Sequence, residues 1–218
     1  MNKAFILPFA GGSSYYFEYI RKYFNSELNV HYLNLHDKEK TDGSFSSIQE
    51  IALYLSKKII SEIDINDTYF LFGHSMGSLL VYEITKIIKI KGIKLPKFVV
   101  VSGLIAPDVL TLKNKIRTQI KKTSVFQIEN CNSALKHDLE LVNEYQLDNL
   151  EKLDTDIFVM FGNEDAFLKD KDEVERWRLF TNKAFKIYEY LGDHFYFHNR
   201  FNRKSIAEIL ESEILNKG

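Results

Sequence analysis

The chain predicts an α/β protein, a mostly parallel sheet with helices on both faces and a helical insertion late in the chain. Three observations predict it. Short apolar runs of strand length alternate with stretches of helical spacing from one end to the other. One of those runs, KFVVVS at 97–102, is apolar without a break, as a strand buried on both faces must be. A third stretch, FLFGHSMGSLLVYEI at 70–84, joins a strand to an amphipathic helix through a glycine-flanked turn that carries Ser75. The 218 residues suit a single domain over 1–218, and three prolines with no low-complexity tract leave no obvious linker.

The totals exclude several classes. Apolar residues make up 45% and charged residues 27%, ordinary for a globular protein. A formal net charge of −1 gives no global field toward nucleic acid or an acidic membrane. Cys131 is the sole cysteine, so no internal disulfide can form and a reducing compartment is expected. Met1-Asn2-Lys3 runs straight into an apolar strand, and no signal peptide is expected. No apolar run approaches the ~20 residues that span a bilayer. A cytoplasmic monomer is expected.

In chain order, 4–8 is the first strand, followed by Phe9-Ala10-Gly11-Gly12-Ser13 and a stretch over 14–24 with aromatics at helical spacing. The Gly-rich turn does not fit either nucleotide-binding pattern. An oxyanion loop, whose backbone N–H groups must meet a substrate oxygen unobstructed, fits better beside the Ser75 turn, and a plain turn is the alternative. Strand 29–35 follows, then a polar loop over 36–44. His31 and His36 have no metal-type partners and read as structural or solvated. Ser47-x-x-Glu50 is a capping box for a helix that ends near Ile63. After the strand at 97–102 come roughly fifty residues before the next strand at 156–161, far more than the few residues usual between such elements. Helices over 110–123 and 133–145 are predicted inside this insertion, about 108–152, which reads as a cap. The first carries Lys113, Lys115, Arg117, Lys121 and Lys122. The plainer reading is a solvated face, and the sharper one is a docking surface for an acidic protein. A charged helix over 171–180, a last strand over 185–191 and a helix over 203–215 with a Ser205-x-x-Glu208 box complete the chain.

Gly73-His74-Ser75-Met76-Gly77 fits G-x-S-x-G, the nucleophile elbow. A serine hydroxyl needs a general base, and that base needs a carboxylate to fix its tautomer. Both should follow strands, in the order Ser, acid, His. His194 directly follows the last strand and is the favoured base. His74 lies inside the elbow, where its side chain should point away from Ser75, and His137 lies in the cap. His198 is four residues past His194, a spacing that could share a helical face, but no metal motif surrounds it. Asp165, just past the strand at 156–161, is the favoured acid, with Glu164 its rival. Asp154 and Asp156 precede that strand, and the side chain of Asp193 should point away from its neighbour His194. The oxyanion donors would be the N–H groups of Met76 and Ala10. No metal is called for. The set supports acyl transfer without choosing between ester, thioester and amide.

Several motifs together resemble the type II thioesterases that accompany nonribosomal peptide and polyketide synthases. They are Leu7-Pro8-Phe9-Ala10-Gly11-Gly12-Ser13, Phe72-Gly73-His74-Ser75-Met76-Gly77, Ser102-Gly103 with Ala106-Pro107, and His194-Phe195-Tyr196-Phe197. Leu135-Lys136-His137-Asp138 with Tyr145 is similar to the family's cap segment. The resemblance implies an α/β-hydrolase fold with Ser75, Asp165 and His194 as triad, and Ala10 and Met76 at the oxyanion hole. It implies hydrolysis of acyl or aminoacyl thioesters presented on the phosphopantetheine arm of a carrier protein, with no cofactor of the enzyme's own. The basic cap helix would suit an acidic carrier protein. A small-molecule carboxylesterase or acyl-coenzyme A thioesterase shares the same triad, and a non-catalytic binding module is the third reading. The chain departs from the family's pattern at 36–40, where Pro-Gly-Arg is usual, at Leu104-Ile105, where an Arg is usual, and at Gly192-Asp193-His194, where Gly-Gly-His is usual.

Overall fold

A computed structural model describes residues 1–35, 45–120 and 133–216, with the side chains of 117–120 left aside. The described residues form a six-stranded, wholly parallel sheet in the order β2-β1-β3-β4-β5-β6. The strands are β1 Asn2–Leu7, β2 Asn29–Tyr32, β3 Thr68–His74, β4 Phe98–Ser102, β5 Asp156–Gly162 and β6 Phe185–Tyr190. Strand order reverses between β1 and β3, which pair with Leu7 opposite Gly73. Open α/β sheets form their sites at such a switch point, outside the carboxyl ends of the strands.

Alternate residues of the strands serve opposite faces. Phe5, Leu7, Leu71, Val99, Val101, Ile157 and Val159 pack on one side with α2 (Ile48–Ser61) and α3 (Met76–Ile90). Ala4, Ile6, Phe70, Phe72, Phe98, Val100, Phe158 and Met160 pack on the other with α7 (Arg200–Leu215). Stacked Phe70, Phe98 and Phe158, with ring centroids 4.9 and 4.8 Å apart, run across neighbouring strands of that second face. Both faces are covered by helices, so the central strand β4 is buried at every residue, Phe98 to Ser102, rather than at every other one.

Most predicted elements are present within a few residues. Ser47 caps α2 by accepting from Glu50 N–H at 3.1 Å, as its capping box requires. The stretch over 14–24 is shorter than its spacing predicts, a 3-10 turn at Ser14–Phe17 followed by α1 (Glu18–Arg21), because Tyr16 and Phe17 are drawn into the core. The charged helix is likewise split into α6 (Lys171–Glu175) and a 3-10 turn at Arg176–Phe180. There buried Trp177 donates its indole N–H to the Leu104 carbonyl at 2.9 Å. Ser205 does not cap the last helix. α7 starts earlier, at Arg200, with the Asn199 side chain accepting from Phe201 N–H at 2.8 Å.

The two helices between β4 and β5 are α4 (Pro107–Ile120) and α5 (Ser133–Glu144). The Asn114 amide stitches them together by donating to the Val142 and Tyr145 carbonyls, each at 3.1 Å. Tyr145 then donates to Glu83 of α3 at 2.8 Å, and Lys86 completes the buried pair at 3.0 Å. His36, the stretch 36–40 that departs from the family's pattern, Lys121, Lys122, Cys131 and the side chain of Arg117 lie outside the described residues.

Candidate active site

β3 ends at His74 and α3 begins at Met76, so Ser75 alone makes the turn. Its φ of 53° and ψ of −119° make it the one non-glycine with positive φ among the described residues. Such a backbone costs of the order of 1–3 kcal/mol and persists only where its surroundings over-determine it. They do so here. Ser75 N–H donates to the Ser102 carbonyl at 2.7 Å. A Cβ on Gly73 would fall 2.0 Å from the Gly77 carbonyl oxygen, and one on Gly77 would fall 2.9 Å from that of Pro8. Strand, helix and the β1 loop therefore close in on each other only because both positions lack a side chain.

β5 and β6 bring in the other two residues. Asp165 follows the Asn163-Glu164 turn after β5 and is 4% exposed. One of its oxygens accepts from Phe167 N–H at 2.9 Å, and the other lies 2.7 Å from His194 Nδ1. That geometry leaves Nε2 of His194 as the nitrogen able to accept a proton, in the tautomer with the proton on Nδ1. Glu164, the rival acid, is exposed. Asp193 turns to the backbone and accepts from Phe195 N–H at 2.8 Å. Asp154 and Asp156 sit at the other end of the sheet, on Asn182 and Ala184 N–H respectively.

Two links bring His194 to the elbow. Its ring centroid is 4.6 Å from that of His74, the residue before Ser75. A Cβ placed on Gly103, which follows Ser102, would lie 3.2 Å from His194 Cε1 and 2.6 Å from His74 Cε1. His74 is fully buried, its Nδ1 is 2.8 Å from Ser102 Oγ, and Ser102 Oγ is 2.8 Å from Tyr196 Oη. Burial, reinforced by the nearby His194 and His198, pushes His74 well below the usual histidine range, so it is neutral. It is thus a buried neighbour of His194, engaged with Ser102. His198 is exposed and stacks on Phe195 at 5.5 Å, and His137 lies on α5. His31 stacks on Phe5 at 4.7 Å, a packing role.

Phe167 stands edge-on to His194 at 5.1 Å and also lines a cavity of about 310 Å³ with Ile105, Lys113 and Lys169. The loop after β1 is folded back on itself by Gly12 N–H donating to the Phe9 carbonyl at 2.9 Å. Gly11 N–H donates to Asp138 of α5 at 2.7 Å. The N–H groups of Gly11 and Gly12 are therefore both engaged within the protein. Lys113 pairs with Glu173 at 2.5 Å, so it is not a free cation of the basic helix, whereas Lys115 is exposed. Among the described residues, no group of three or more His, Cys, Asp or Glu side chains is placed to hold a metal ion, and no helix is long and apolar enough to cross a membrane.

Sequence reasoning missed His74 as a wall of the site, Gly103 as the floor under both histidines, and Asp138. Ser102-Gly103 and Leu135-Lys136-His137-Asp138 stood out as motifs, but nothing in their spacing says what they touch.

Comparison with known proteins bears on the family and the fold. The gramicidin S biosynthesis protein GrsT of Aneurinibacillus migulanus is 24% identical over 213 residues, covering 89% of this chain and 82% of its own. The medium-chain S-acyl fatty acid synthase thioesterase of Rattus norvegicus is 28% identical over 236 residues, covering 96% of this chain and 88% of its own. The structure of BorB, a type II thioesterase from the borrelidin biosynthetic cluster, superposes with a TM-score of 0.77 at 19% identity. It covers 98% of this chain and 92% of BorB, which makes the fold that of an α/β-hydrolase and agrees with the resemblance read from the motifs. The thioesterase domain family matches residues 3–214, and the chain belongs to that family.

Proposed function

We propose that the protein is a type II thioesterase that hydrolyses acyl or aminoacyl thioesters on the phosphopantetheine arm of a carrier protein in nonribosomal peptide or polyketide synthesis. The observation that carries the reading is the 2.7 Å pair of His194 Nδ1 and buried Asp165 beside a serine held at φ 53°. Ser75 Oγ attacks the thioester carbon while His194 Nε2 takes its proton. The N–H groups of Met76 and Ala10, the first at the amino terminus of α3, receive the negative charge that builds on the carbonyl oxygen. The C–S bond breaks, and His194 returns the proton to the departing pantetheine thiolate. Water then attacks the acyl-serine with His194 again as base, which releases the acid and restores Ser75.

Membership in the thioesterase family and the type II neighbour BorB support a thioester over an amide. The likeness to the rat fatty acyl enzyme favours, as a second reading, a simple acyl thioester without a synthase of that kind. Ser75→Ala should abolish release of free thiol from acyl-loaded carrier protein, and turnover that survived it would sink the mechanism. Faster cleavage of acyl-coenzyme A or nitrophenyl ester than of acyl-carrier protein would favour the second reading. The insertion about 108–152 acts in this proposal as a cap, and its basic helix as a docking surface. Since Lys113 is paired with Glu173, exposed Lys115 is the test position. Lys115→Glu should raise KM for carrier protein and leave that for a short thioester unchanged. An equal effect on both would move docking elsewhere.

A further inference from the structure

We infer that Asp138, on the insertion helix α5, is a positioning residue that holds the oxyanion turn in its working shape. The inference rests on the serine thioesterase reading and adds which side chain braces the turn that carries the Ala10 N–H.

The turn Phe9-Ala10-Gly11-Gly12 is closed by Gly12 N–H to the Phe9 carbonyl at 2.9 Å, and Gly11 at its third position has φ 65°. That positive angle is the mark of a type II turn. The closing bond fixes the peptide plane that holds the Phe9 carbonyl and the Ala10 N–H, which point opposite ways in a trans peptide. The middle plane, with the Ala10 carbonyl and the Gly11 N–H, is the one that flips between type I and type II. Asp138 holds that plane. Its Oδ2 accepts from Gly11 N–H at 2.7 Å, a short charge-assisted bond across 127 positions of sequence.

Asp138 is only 2% exposed and shares the buried side of α5 with Leu139, Leu141 and Val142. A carboxylate is costly to bury, and this one meets a backbone amide beside the site. The helix also presses on the turn directly. A Cβ on Gly11 would fall 2.6 Å from Leu135 Cβ and 2.7 Å from Leu135 Cα. The turn and α5 are therefore in direct contact, and taking Asp138 away frees the middle plane, the one next to the plane that carries the Ala10 N–H.

The experiment compares Asp138→Asn and Asp138→Leu, with kcat expressed per site titrated to end point by a fluorophosphonate, so that unfolded protein does not count. Leu removes the acceptor at similar size. It should lower kcat by about 10-fold, the scale of a donor displaced by a fraction of an ångström and not removed, with KM for acyl-carrier protein changed less than about 2-fold. Asn keeps a neutral acceptor and should cost about 3-fold. It should also move the Gly11 amide proton resonance upfield as the charge-assisted bond weakens. Should Asp138→Leu give no titratable sites, the Asn variant decides by its kcat and that resonance. Wild-type kcat per site in folded Asp138→Leu, or an unmoved Gly11 resonance in Asp138→Asn, would overturn the role. If Ser75→Ala is inactive while both Asp138 variants turn over like wild type, this inference fails and the thioesterase reading stands. If Ser75→Ala is active, the thioesterase reading itself has failed.

Discussion

A methyl group at Gly103 should disable the site from beneath. An added Cβ would sit 2.6 Å from His74 Cε1, 3.0 Å from His74 Nδ1 and 3.2 Å from His194 Cε1. Carbon atoms rest comfortably at about 3.5 Å or more, so His74 must retreat by about 0.9 Å and His194 by about 0.3 Å. His74 has nowhere to go, with Ser102 on its Nδ1 and the Phe197 ring 4.9 Å away. Overpacking of this kind costs about 1–3 kcal/mol, and alanine at φ 66° adds about 1 kcal/mol. The sum predicts a Tm lower by about 5–15 °C for a domain of this size. Shifting the base by a fraction of an ångström should lower kcat about 10-fold, given that about 1 Å of misplacement can cost about 100-fold. Gly92 supplies the control. It has nearly the same φ, 64°, and nothing within 4 Å of an added Cβ. Gly92→Ala should therefore lose only the backbone part, about 1 kcal/mol, and keep full kcat. Thermal denaturation and thiol release read both variants. A Gly103→Ala protein matching Gly92→Ala in Tm and kcat would refute the claim that the two histidines rest on this residue.

Three further outcomes follow from the same geometry. Asp165→Asn keeps the packing but loses control of the His194 tautomer, and kcat should fall by about 10³- to 10⁴-fold at little change in KM; a loss under about 10-fold would remove Asp165 from the acid's role. His74 is neutral when folded because burial depresses its pKa, whereas in the unfolded chain it takes a proton near pH 6.5, so its contribution is complete above that pH and is lost as pH falls below it. The stability gap between wild type and His74→Gln, from urea unfolding, should narrow by about 1 kcal/mol between pH 6.5 and 5.5, and a gap independent of pH would contradict this. Tyr145→Phe leaves a buried Glu83 oxygen without its 2.8 Å donor and should cost about 2 kcal/mol, a Tm lower by about 4–8 °C, whereas a change under about 1 °C would mean that the bond contributes nothing.

What could be read from the residues was whatever local chemistry enforces. Gly73 and Gly77 around Ser75 betray a turn with no room for side chains, and the apolar run FVVV at 98–101 betrays a strand covered twice. The order of Ser75, Asp165 and His194 followed from strands that end just before each of them. Spacing misled where tertiary contacts won. Ser205-x-x-Glu208 has the right residues for a cap, yet Asn199 takes the place, and α7 gains a turn. The aromatic stretch after Ser14 has helical spacing, yet burial of Tyr16 and Phe17 cuts it into two short pieces. Lys113 looked like part of a free basic face until Glu173, sixty residues on, neutralised it. Asp138 was visible in a motif, but its partner Gly11 lies 127 positions away, beyond any periodicity.

Ser75 and the loop that carries His194 share one anchor, the end of β4. Ser102 is its last residue, and every polar group it has is engaged. Its carbonyl accepts from Ser75 N–H at 2.7 Å and Ser78 Oγ at 2.9 Å, while its N–H donates to Ser78 Oγ at 2.9 Å. Its hydroxyl bridges His74 Nδ1 and Tyr196 Oη, both at 2.8 Å. One side of this hub fixes the elbow, and the other fixes the loop that carries His194 two residues before Tyr196. Both loops are thereby tied to a central strand buried on its two faces. Under the proposed mechanism, a nucleophile and base tied to one strand end keep their separation when the outer loops or the insertion helices move. This explains why a conformation as costly as that of Ser75 can be kept ready for attack.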